Sequence, residues 1–288
     1  VEAAGYRGKM KEGQEAAMKA LTELAEAPVP ASKGCPKKVI LAGLGSDDFR
    51  LDQDTKALQK LAGENIELQV LANTTAEELE KAANADLILT VGYGEAYGKR
   101  MNQKYGIPWK SLDYPYGLTG AQEFWQSLGE QFGDPQGIWK IGYETAESAF
   151  RSHTGESLSK VYTYLQALYS MPAAVIGGKA KCHGMKRFLE QELGMEVVVC
   201  EEREQVTDVE RFYDKVRQSE AAVLFGSSFE RELAEELEIP LVRFDYPVFD
   251  RLSLSGRCYV GEEGSLCLVE DILNEIMAAR NRKGALYQ

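Results

Sequence analysis

Strand-sized apolar runs alternate with helix-period stretches along the whole chain, and this alternation limits the folds open to it. In the first half the apolar runs lie at 38–43, 66–71, 86–91 and 108–112, and the amphipathic stretches between them at about 53–62, 75–83 and 95–105. In the second half the runs lie at 173–176, 196–200, 221–225 and 241–244, and the helical stretches at about 183–193, 206–218 and 229–237. Such an order is typical of βα units around a parallel sheet and predicts an α/β fold.

The two halves also share a short sequence pattern. Ile107-Pro108 precedes Asp113-Tyr114-Pro115, and Ile239-Pro240 precedes Asp245-Tyr246-Pro247 at the same spacing. In each copy the first proline ends a helix and starts an extended strand, and the second proline lies where the strand leaves the sheet. The repeat indicates that the same architecture occurs twice.

We therefore predict two Rossmann-like domains, residues 1–138 and 139–288, each with a parallel sheet flanked by helices. The turn cluster at 132–137 marks their boundary. A helical repeat without proline at about 145–169 predicts a long helix that joins the domains. Residues 262–282 predict a C-terminal helix in the second domain.

Charge and cysteine content bear on the partners and the compartment. With 33 Lys and Arg against 45 Asp and Glu, the net charge of −12 would repel a phosphate backbone or an anionic membrane surface, so we expect neither nucleic acid nor membrane as a partner. The five scattered cysteines, with no CxxC among them, favour a reduced, cytoplasmic compartment. The chain opens at Val1 without Met or a leader pattern, and we interpret it as a piece of a longer polypeptide.

Open α/β sheets bind ligands at the carboxyl ends of their strands, and two glycine-containing turns lie there. Gly177-Gly178-Lys179 follows the first strand of the second half; its glycines would let the backbone approach a ligand, and its lysine offers positive charge. This turn is either an anion- or polar-cofactor loop or a solvated turn. The matching turn at 43–48 lacks the third glycine of a dinucleotide motif and carries two acids, so we predict a plain turn.

Other polar residues carry weaker signals. Cys182 and His183 could supply metal ligands, but adjacent side chains point apart at a helix start and no second pair lies at zinc spacing, so we predict no metal ligands. Glu95, Tyr97 and Arg100 either face the cleft or form a solvated helix face. No triad, zinc-binding helix or phosphate loop is present, and we assign no catalytic residue.

Five segments carry a resemblance to a known family. They are Gly5-Tyr6-Arg7-Gly8, Met101 to Trp109 (MNQKYGIPW), Tyr116 to Thr119 (YGLT), Gly177-Gly178 with Cys182-His183-Gly184 and 192–198 (ELGMEVV), and Phe244 to Arg251 (FDYPVFDR) with 261–264. In this order they resemble motifs of nitrogenase component 1 proteins. That family comprises the molybdenum–iron protein subunits, the cofactor-scaffold pair and the dark-operative protochlorophyllide reductase subunits. The first and fourth segments are closer to the alpha and scaffold branch and the last to the beta branch, so the branch stays open.

The resemblance implies an oxidoreductase subunit that, in the intact protein, transfers electrons to a substrate or metallocluster in the cleft between its domains. It also implies an iron–sulfur cluster held with a homologous partner subunit and reduced by an ATP-dependent iron protein. The cysteines that hold this cluster belong to the family's first domain, which this chain lacks. We therefore expect no cofactor on the chain alone, and we expect it to be inactive by itself.

The same resemblance bears on the site residues. It places Thr90 where the alpha and scaffold branches have a cofactor-binding cysteine, and about Val260 where the alpha branch has a histidine ligand. The candidate cofactor-binding residues are thus Gly177, Gly178, Lys179 and Thr90.

A competing hypothesis is a two-lobed solute-binding protein for a metal chelate or small polar ligand, because two Rossmann-like lobes joined by a long helix also describe that class.

Overall fold

The computed structural model describes residues 10–29, 35–45, 48–133, 165–204, 208–253 and 256–282. The predicted boundary at residue 138 and most of the predicted linking helix at 145–169 lie outside these residues. Within them, no helix is long and apolar enough to cross a membrane.

The first half forms a four-stranded sheet in the order β2-β1-β3-β4, and every strand pair is parallel. Its strands are β1 (Lys37–Ala42), β2 (Ile66–Val70), β3 (Leu87–Thr90) and β4 (Trp109–Ser111). The helices of this half are α1 (Met10–Leu21), α2 (Leu51–Ala62), α3 (Ala76–Glu80), α4 (Glu95–Tyr105) and α5 (Gly117–Phe132).

The second half repeats this topology in the order β6-β5-β7-β8, again with parallel pairs only. Its strands are β5 (Pro172–Gly177), β6 (Glu196–Glu202), β7 (Val223–Gly226) and β8 (Leu241–Arg243). Its helices are α6 (Lys179–Gln191), α7 (Val209–Gln218), α8 (Arg231–Glu236) and α9 (Gly261–Arg282). The predicted α/β fold with two parallel sheets flanked by helices is confirmed.

The repeated Ile-Pro pattern makes the same contacts in both sheets. The carbonyl of Pro108 accepts the amide of Ile88 at 3.0 Å, and the carbonyl of Pro240 accepts the amide of Leu224 at 2.9 Å. Proline has no amide hydrogen of its own, so it suits the first position of a strand, where its carbonyl can still begin the ladder. The matching sequence spacing therefore corresponds to a matching entry into β4 and β8.

Apolar residues on the two faces of each sheet pack into different clusters because successive side chains of a strand point to opposite faces. Ile40 and Ile88 face a cluster that belongs to the first half, and Ala174 and Leu224 face one that belongs to the second half. On the other faces, strands from both halves contribute to one shared cluster, whose members include Val39, Leu41, Leu89, Val175 and Phe225. The two halves thus share a core.

Helix α9, which sequence assigns to the second domain, packs against α5 and α2 of the first half. The carboxylate of Glu192, one residue beyond α6, links these elements. Its Oε1 accepts the amide and hydroxyl of Thr119 at 2.9 and 2.8 Å, and its Oε2 accepts the hydroxyl of Ser265 at 3.1 Å. These contacts hold α5, α6 and α9 together beside the shared core.

Gly184→Ala tests how closely α6 approaches the segment after β4. An added Cβ would lie 2.2 Å from the carbonyl oxygen of Tyr114, which is backbone and cannot swing aside. Alanine is favoured over glycine within a helix by about 1 kcal/mol, so a helix without this contact would become more stable. We expect instead a loss of about 1–3 kcal/mol in the free energy of unfolding, measured in urea.

Gly256→Ala is the control, because no atom lies within 4 Å of a Cβ built there. Its unfolding free energy should change by less than about 0.5 kcal/mol. A Gly184→Ala protein that unfolds at a higher urea concentration than the wild type would contradict the close contact between α6 and the Tyr114 carbonyl.

Candidate functional site

A cleft of about 490 Å³ lies between the carboxyl ends of the two sheets. Its walls come from the turns that follow β1, β3 and β4 in the first half and β5, β6 and β8 in the second, together with α1. The lining residues are Gln14, Gly43, Leu44, Gly45, Asp48, Val91, Gly92, Tyr93, Tyr114, Gly178, Ala180, Lys181, Arg203, Glu204, Asp245 and Tyr246. Ligands of open α/β sheets bind at this edge, so the cleft is the candidate site.

Lys181 bridges the two halves across the cleft. Its Nζ lies 3.1 Å from Asp245 Oδ1 and hydrogen-bonds Asp48 Oδ1, and only 8% of its side chain is exposed. Burial opposes the charged ammonium, but the two carboxylates outweigh that effect and raise the pKa of Lys181 above its ordinary range. Lys181 is therefore cationic at neutral pH and ties α6 to the turn after β1.

The predicted Gly-Gly-Lys loop lies at this edge, and the chain's own carboxylates bind its amides. The amide of Gly178 donates to Asp245 Oδ2 at 2.6 Å, and the amide of Lys179 donates to Glu204 Oε2 at 3.0 Å. At Gly177 a Cβ would lie 2.9 Å from the Phe244 ring, so glycine lets β5 pack closely there. An anionic ligand at this loop would have to displace these carboxylates.

Gly178 lines the cleft, whereas Lys179 lines a separate opening of about 350 Å³ together with Lys110 and Asp113. Gly177 is buried directly behind the loop. The structure thus brings Gly177, Gly178 and Lys179 to the edge that sequence predicts, but Lys179 lines the other opening.

Thr90 is fully buried at the end of β3 and is not a lining residue of the cleft. Its hydroxyl donates to the carbonyl of Lys110 at 3.5 Å. Its methyl group packs against Gly98 of α4, where an added Cβ would lie 2.9 Å from that methyl. The cleft is lined instead by the next two residues, Val91 and Gly92. Val260 is also buried, in an isolated bridge with Tyr116.

The other sequence candidates separate in space. Tyr97 is buried in the core of the first half, whereas Arg100 pairs with Glu23 at 3.1 Å and Glu95 pairs with Lys99 at 3.2 Å on the surface of α4. The solvated-face interpretation therefore describes Glu95 and Arg100, and Tyr97 serves the core.

Cys182 and His183 point apart, as their positions at a helix start predict. Cys182 is buried against β5 and β6, whereas His183 lies 3.0 Å from Glu202 Oε1 and 3.6 Å from Asp113 Oδ1. In the part of the chain that the structure describes, no group of three or more His, Cys, Asp or Glu could hold a metal ion.

A buried carboxylate that sequence analysis missed lies behind the cleft. Asp54 of α2 is 1% exposed; its Oδ2 accepts the hydroxyl of Tyr114 at 2.6 Å, and its Oδ1 accepts the amide of Tyr259 at 2.6 Å. Burial raises the pKa of Asp54 to about 6, against the opposing effect of both hydrogen bonds. In the sequence Asp54 resembles an ordinary solvated acid in the first turn of an amphipathic helix. Nothing in the local pattern therefore predicts that its carboxylate is buried.

Aromatic rings surround this carboxylate where the two halves meet. The Tyr116 ring centroid lies 4.6 Å from that of Tyr114, 6.1 Å from that of Phe244 and 6.5 Å from that of Tyr259. Arg50 stacks on Tyr259 at 4.4 Å and donates to Asp271 Oδ2 at 3.1 Å. Rings and charges from both halves thus close the rear of the cleft.

Asp54→Asn tests the buried carboxylate through the pH dependence of stability. The folded protein binds a proton at Asp54 between about pH 4 and pH 6 that the unfolded chain does not bind. The stability that Asp54 confers is thus fully present below about pH 4 and is lost as the pH rises through about 6. Between about pH 4 and pH 6 we expect the free energy of unfolding of the wild type to fall, relative to that of Asp54→Asn, by on the order of 2–3 kcal/mol. Urea unfolding of both proteins at a series of pH values measures this difference.

The matched control is Asp52→Asn, on the same helix but exposed, which should keep the wild-type pH dependence. Equal slopes against pH for the wild type and Asp54→Asn would show that the carboxylate does not take up a proton on folding.

Lys181→Met tests the bridge between the halves. Removal of the ammonium leaves the buried carboxylate of Asp245 and the partly buried carboxylate of Asp48 without their shared cation. Breaking a buried ion pair in this way typically costs about 3–5 kcal/mol, and we expect a loss of that order in urea unfolding. Lys179→Met, in the same loop but exposed, should change stability by less than about 0.5 kcal/mol.

The double variant Lys181→Met with Asp245→Asn separates charge from packing. It removes one of the two stranded carboxylates, so we expect it to recover part of the lost stability. If Lys181→Met were as stable as Lys179→Met, the bridge would contribute nothing to holding the halves together.

Comparisons with known proteins agree with the fold and the order of motifs. A family model for nitrogenase component 1 type oxidoreductases matches residues 1–277. The chain is 24% identical over 230 residues to the nitrogenase molybdenum-iron protein beta chain of Clostridium pasteurianum, covering 71% of this chain and 48% of that protein. It is 36% identical over 75 residues to the nitrogenase iron-molybdenum cofactor biosynthesis protein NifN of Rhodobacter capsulatus, covering 26% of this chain and 16% of that protein. The chain spans about half the length of the molybdenum-iron relatives it matches.

Solved structures show the same fold. The solved structure of nitrogenase Cp1 at pH 6.5 aligns with a TM-score of 0.71 and 20% identity, over 95% of this chain and 66% of that one. The SBP FpvC from Pseudomonas aeruginosa in complex with Mn²⁺ aligns less well, with a TM-score of 0.51 and 12% identity over 85% of this chain and 99% of that one. The resemblance predicted from five ordered segments is confirmed. The chain belongs to the nitrogenase component 1 type oxidoreductase family.

Proposed function

We propose that this chain forms the cleft-bearing part of a nitrogenase component 1-type subunit, in which electrons pass to a substrate or metallocluster held between the two domains. The observation that carries the proposal is a cleft of about 490 Å³, built from the carboxyl ends of both sheets, in a chain whose family match extends over residues 1–277. Its volume is typical of small-molecule and cofactor sites.

The side chains of the cleft suit a polar, partly apolar acceptor better than a cluster ligated by this chain. None of the described residues that line the cleft is Cys or His, the residue types that ligate iron–sulfur clusters. Leu44, Val91 and Ala180 supply apolar wall, and Tyr93 and Tyr246 supply aromatic rings. A protein-held iron–sulfur cluster therefore belongs, in this proposal, elsewhere in the intact complex.

The chain's residues would position and shield the acceptor. Glycines at 45, 92 and 178 carry no side chains and leave room for an acceptor near the backbone, whereas Gly43 lets the turn after β1 pack against the carbonyl of Val91. Lys181 holds the walls in place through its ion pairs. Of the candidate cofactor-binding residues, Gly178 lines the cleft, whereas Gly177 and Thr90 are buried at the strand ends and Lys179 lines the neighbouring opening.

The partners proposed for the intact complex are a homologous subunit and an ATP-dependent iron protein. Support comes from the relatives, which are named as beta chains of a molybdenum-iron protein and as a cofactor biosynthesis protein. The length comparison also supports it, because the chain spans about half of those beta chains. Cluster ligands and partner contacts would then lie in the other half.

Gly178→Leu separates the cleft from cluster binding. At Gly178 a Cβ would lie 3.5 Å from Glu204 Oε1 and 3.7 Å from Asp245 Oδ2, which is ordinary contact, so the longer side chain can enter the cleft without a backbone clash. In the full natural protein, purified without oxygen with its neighbour-encoded homologous subunit, we expect substrate reduction driven by the iron protein to fall about tenfold or more. Iron content of the complex should stay at the wild-type value.

Gly256→Leu, in open space, is the control and should keep both activity and iron. Gly178→Leu with full activity would overturn the role of the cleft.

The 288-residue chain alone should be colourless, and an iron–sulfur absorption band on it would contradict the placement of the cluster. Tight binding of Mn²⁺ to the chain alone would instead favour a solute-binding role.

A further inference from the structure

Two cysteines far from each other in sequence meet between α6 and β6. The Sγ atoms of Cys182 and Cys200 lie 3.1 Å apart. Cys182 is in the first turn of α6, and Cys200 is in the middle of β6. Neither residue belongs to the lining of the cleft, so this pair is a separate feature of the molecule.

A β-bulge brings the two thiols together. Ala173 of β5 pairs with Val197 and Ala174 pairs with Val199, so Val198 is an extra residue on β6. Residues three apart on a regular strand face opposite sides, but the bulge shifts the alternation by one. Val197 and Cys200 consequently pack on the same face, against the shared core, whereas Val199 packs on the opposite face.

The surroundings of the two sulfurs differ. Cys182 is fully buried, and its thiol lies 3.5 Å from the carbonyl of Glu201 and 3.8 Å from that of Val175. Cys200 is only partly buried. The hydrogen bond from Cys182, together with the positive charge of Lys186, holds the pKa of Cys200 below its ordinary value.

We propose that Cys182 and Cys200 form a redox-active dithiol that a hydroperoxide converts reversibly into a disulfide. The Cys200 thiolate attacks the peroxide, its sulfur takes one oxygen as the O–O bond breaks, and the other oxygen leaves as water or an alcohol after taking a proton. The Cys182 thiol then attacks the Cys200 sulfur, and the sulfenic oxygen leaves as water with the thiol proton. Two thiols lose two electrons and two protons, and the peroxide is reduced by two electrons.

The geometry favours this bond and places it beside the cleft. The sulfurs need to approach by about 1 Å to reach a bond length of about 2.05 Å. Cys182 directly follows Lys181, and its amide donates to the carbonyl of Gly178 at 2.8 Å. Oxidation therefore modifies the helix turn that carries the ion pair between the halves. The inference is independent of the function proposed above.

The test oxidises the fully reduced 288-residue protein with one equivalent of hydrogen peroxide under anoxic conditions. We expect the mass to fall by two hydrogen atoms and the thiols titratable in denaturant to fall from five to three. Peptide mapping should join the peptides that contain Cys182 and Cys200, and dithiothreitol should restore five thiols. Cys35→Ser, which removes an exposed cysteine, is the control and should still lose two thiols.

Cys182→Ser supplies a second readout, because it removes the resolving thiol. Peroxide should then leave a sulfenic acid at Cys200 that a dimedone probe labels, and the wild type should show at least tenfold less label. Retention of five thiols by the treated wild type, a disulfide mapped to any other pair, or equal labelling of both proteins would overturn the proposal. The wild-type mapping does not depend on whether the variant folds.

Discussion

The segment that leaves β4, residues 114–116, holds the two halves in place, and the cleft depends on it. The backbone of Tyr114 bonds to the second half, because its amide donates to the carbonyl of Ala180 and its carbonyl accepts from Arg187. Its hydroxyl donates to Asp54 of the same half, and the other oxygen of that carboxylate accepts the amide of Tyr259 from the second half. Separation of the halves would leave the amide of Tyr114 and the Oδ1 of Asp54 without these partners, and each such loss costs about 1–3 kcal/mol. The position of one short segment therefore fixes the distance between the two sheet edges.

The charged groups that line the resulting cleft are already paired within the protein. Lys181 lies between two carboxylates, and the amides at the start of α6 bind carboxylates of their own chain. A ligand entering here competes with contacts that already satisfy the protein, so recognition depends on shape, apolar wall and exchange of partners. Such a site differs from a phosphate loop, where the amides are free to receive an anion.

The duplicated sequence pattern serves two different purposes. In the first copy Tyr114 is 2% exposed and packs between the halves, whereas in the second copy the equivalent Tyr246 is 41% exposed at the rim of the cleft. The preceding aspartates also differ, since Asp245 is buried beside Lys181 and Asp113 lies half-buried beside His183. The same Ile-Pro and Asp-Tyr-Pro pattern flanks both strands, but the surroundings of each copy decide which side chains bind and which pack.

The sequence by itself determined the α/β architecture, the eight strands and their order along the chain, because continuous apolar runs are stable only as strands covered by helices on both faces. It also determined which edge carries the Gly177-Gly178-Lys179 loop, and the family through five ordered segments. Only the tertiary structure decided that Lys181 meets Asp48, that Asp54 is buried, and that Cys182 meets Cys200. These contacts join residues distant in sequence, and the last requires a bulge that shifts the alternation of β6, so no local periodicity predicts them.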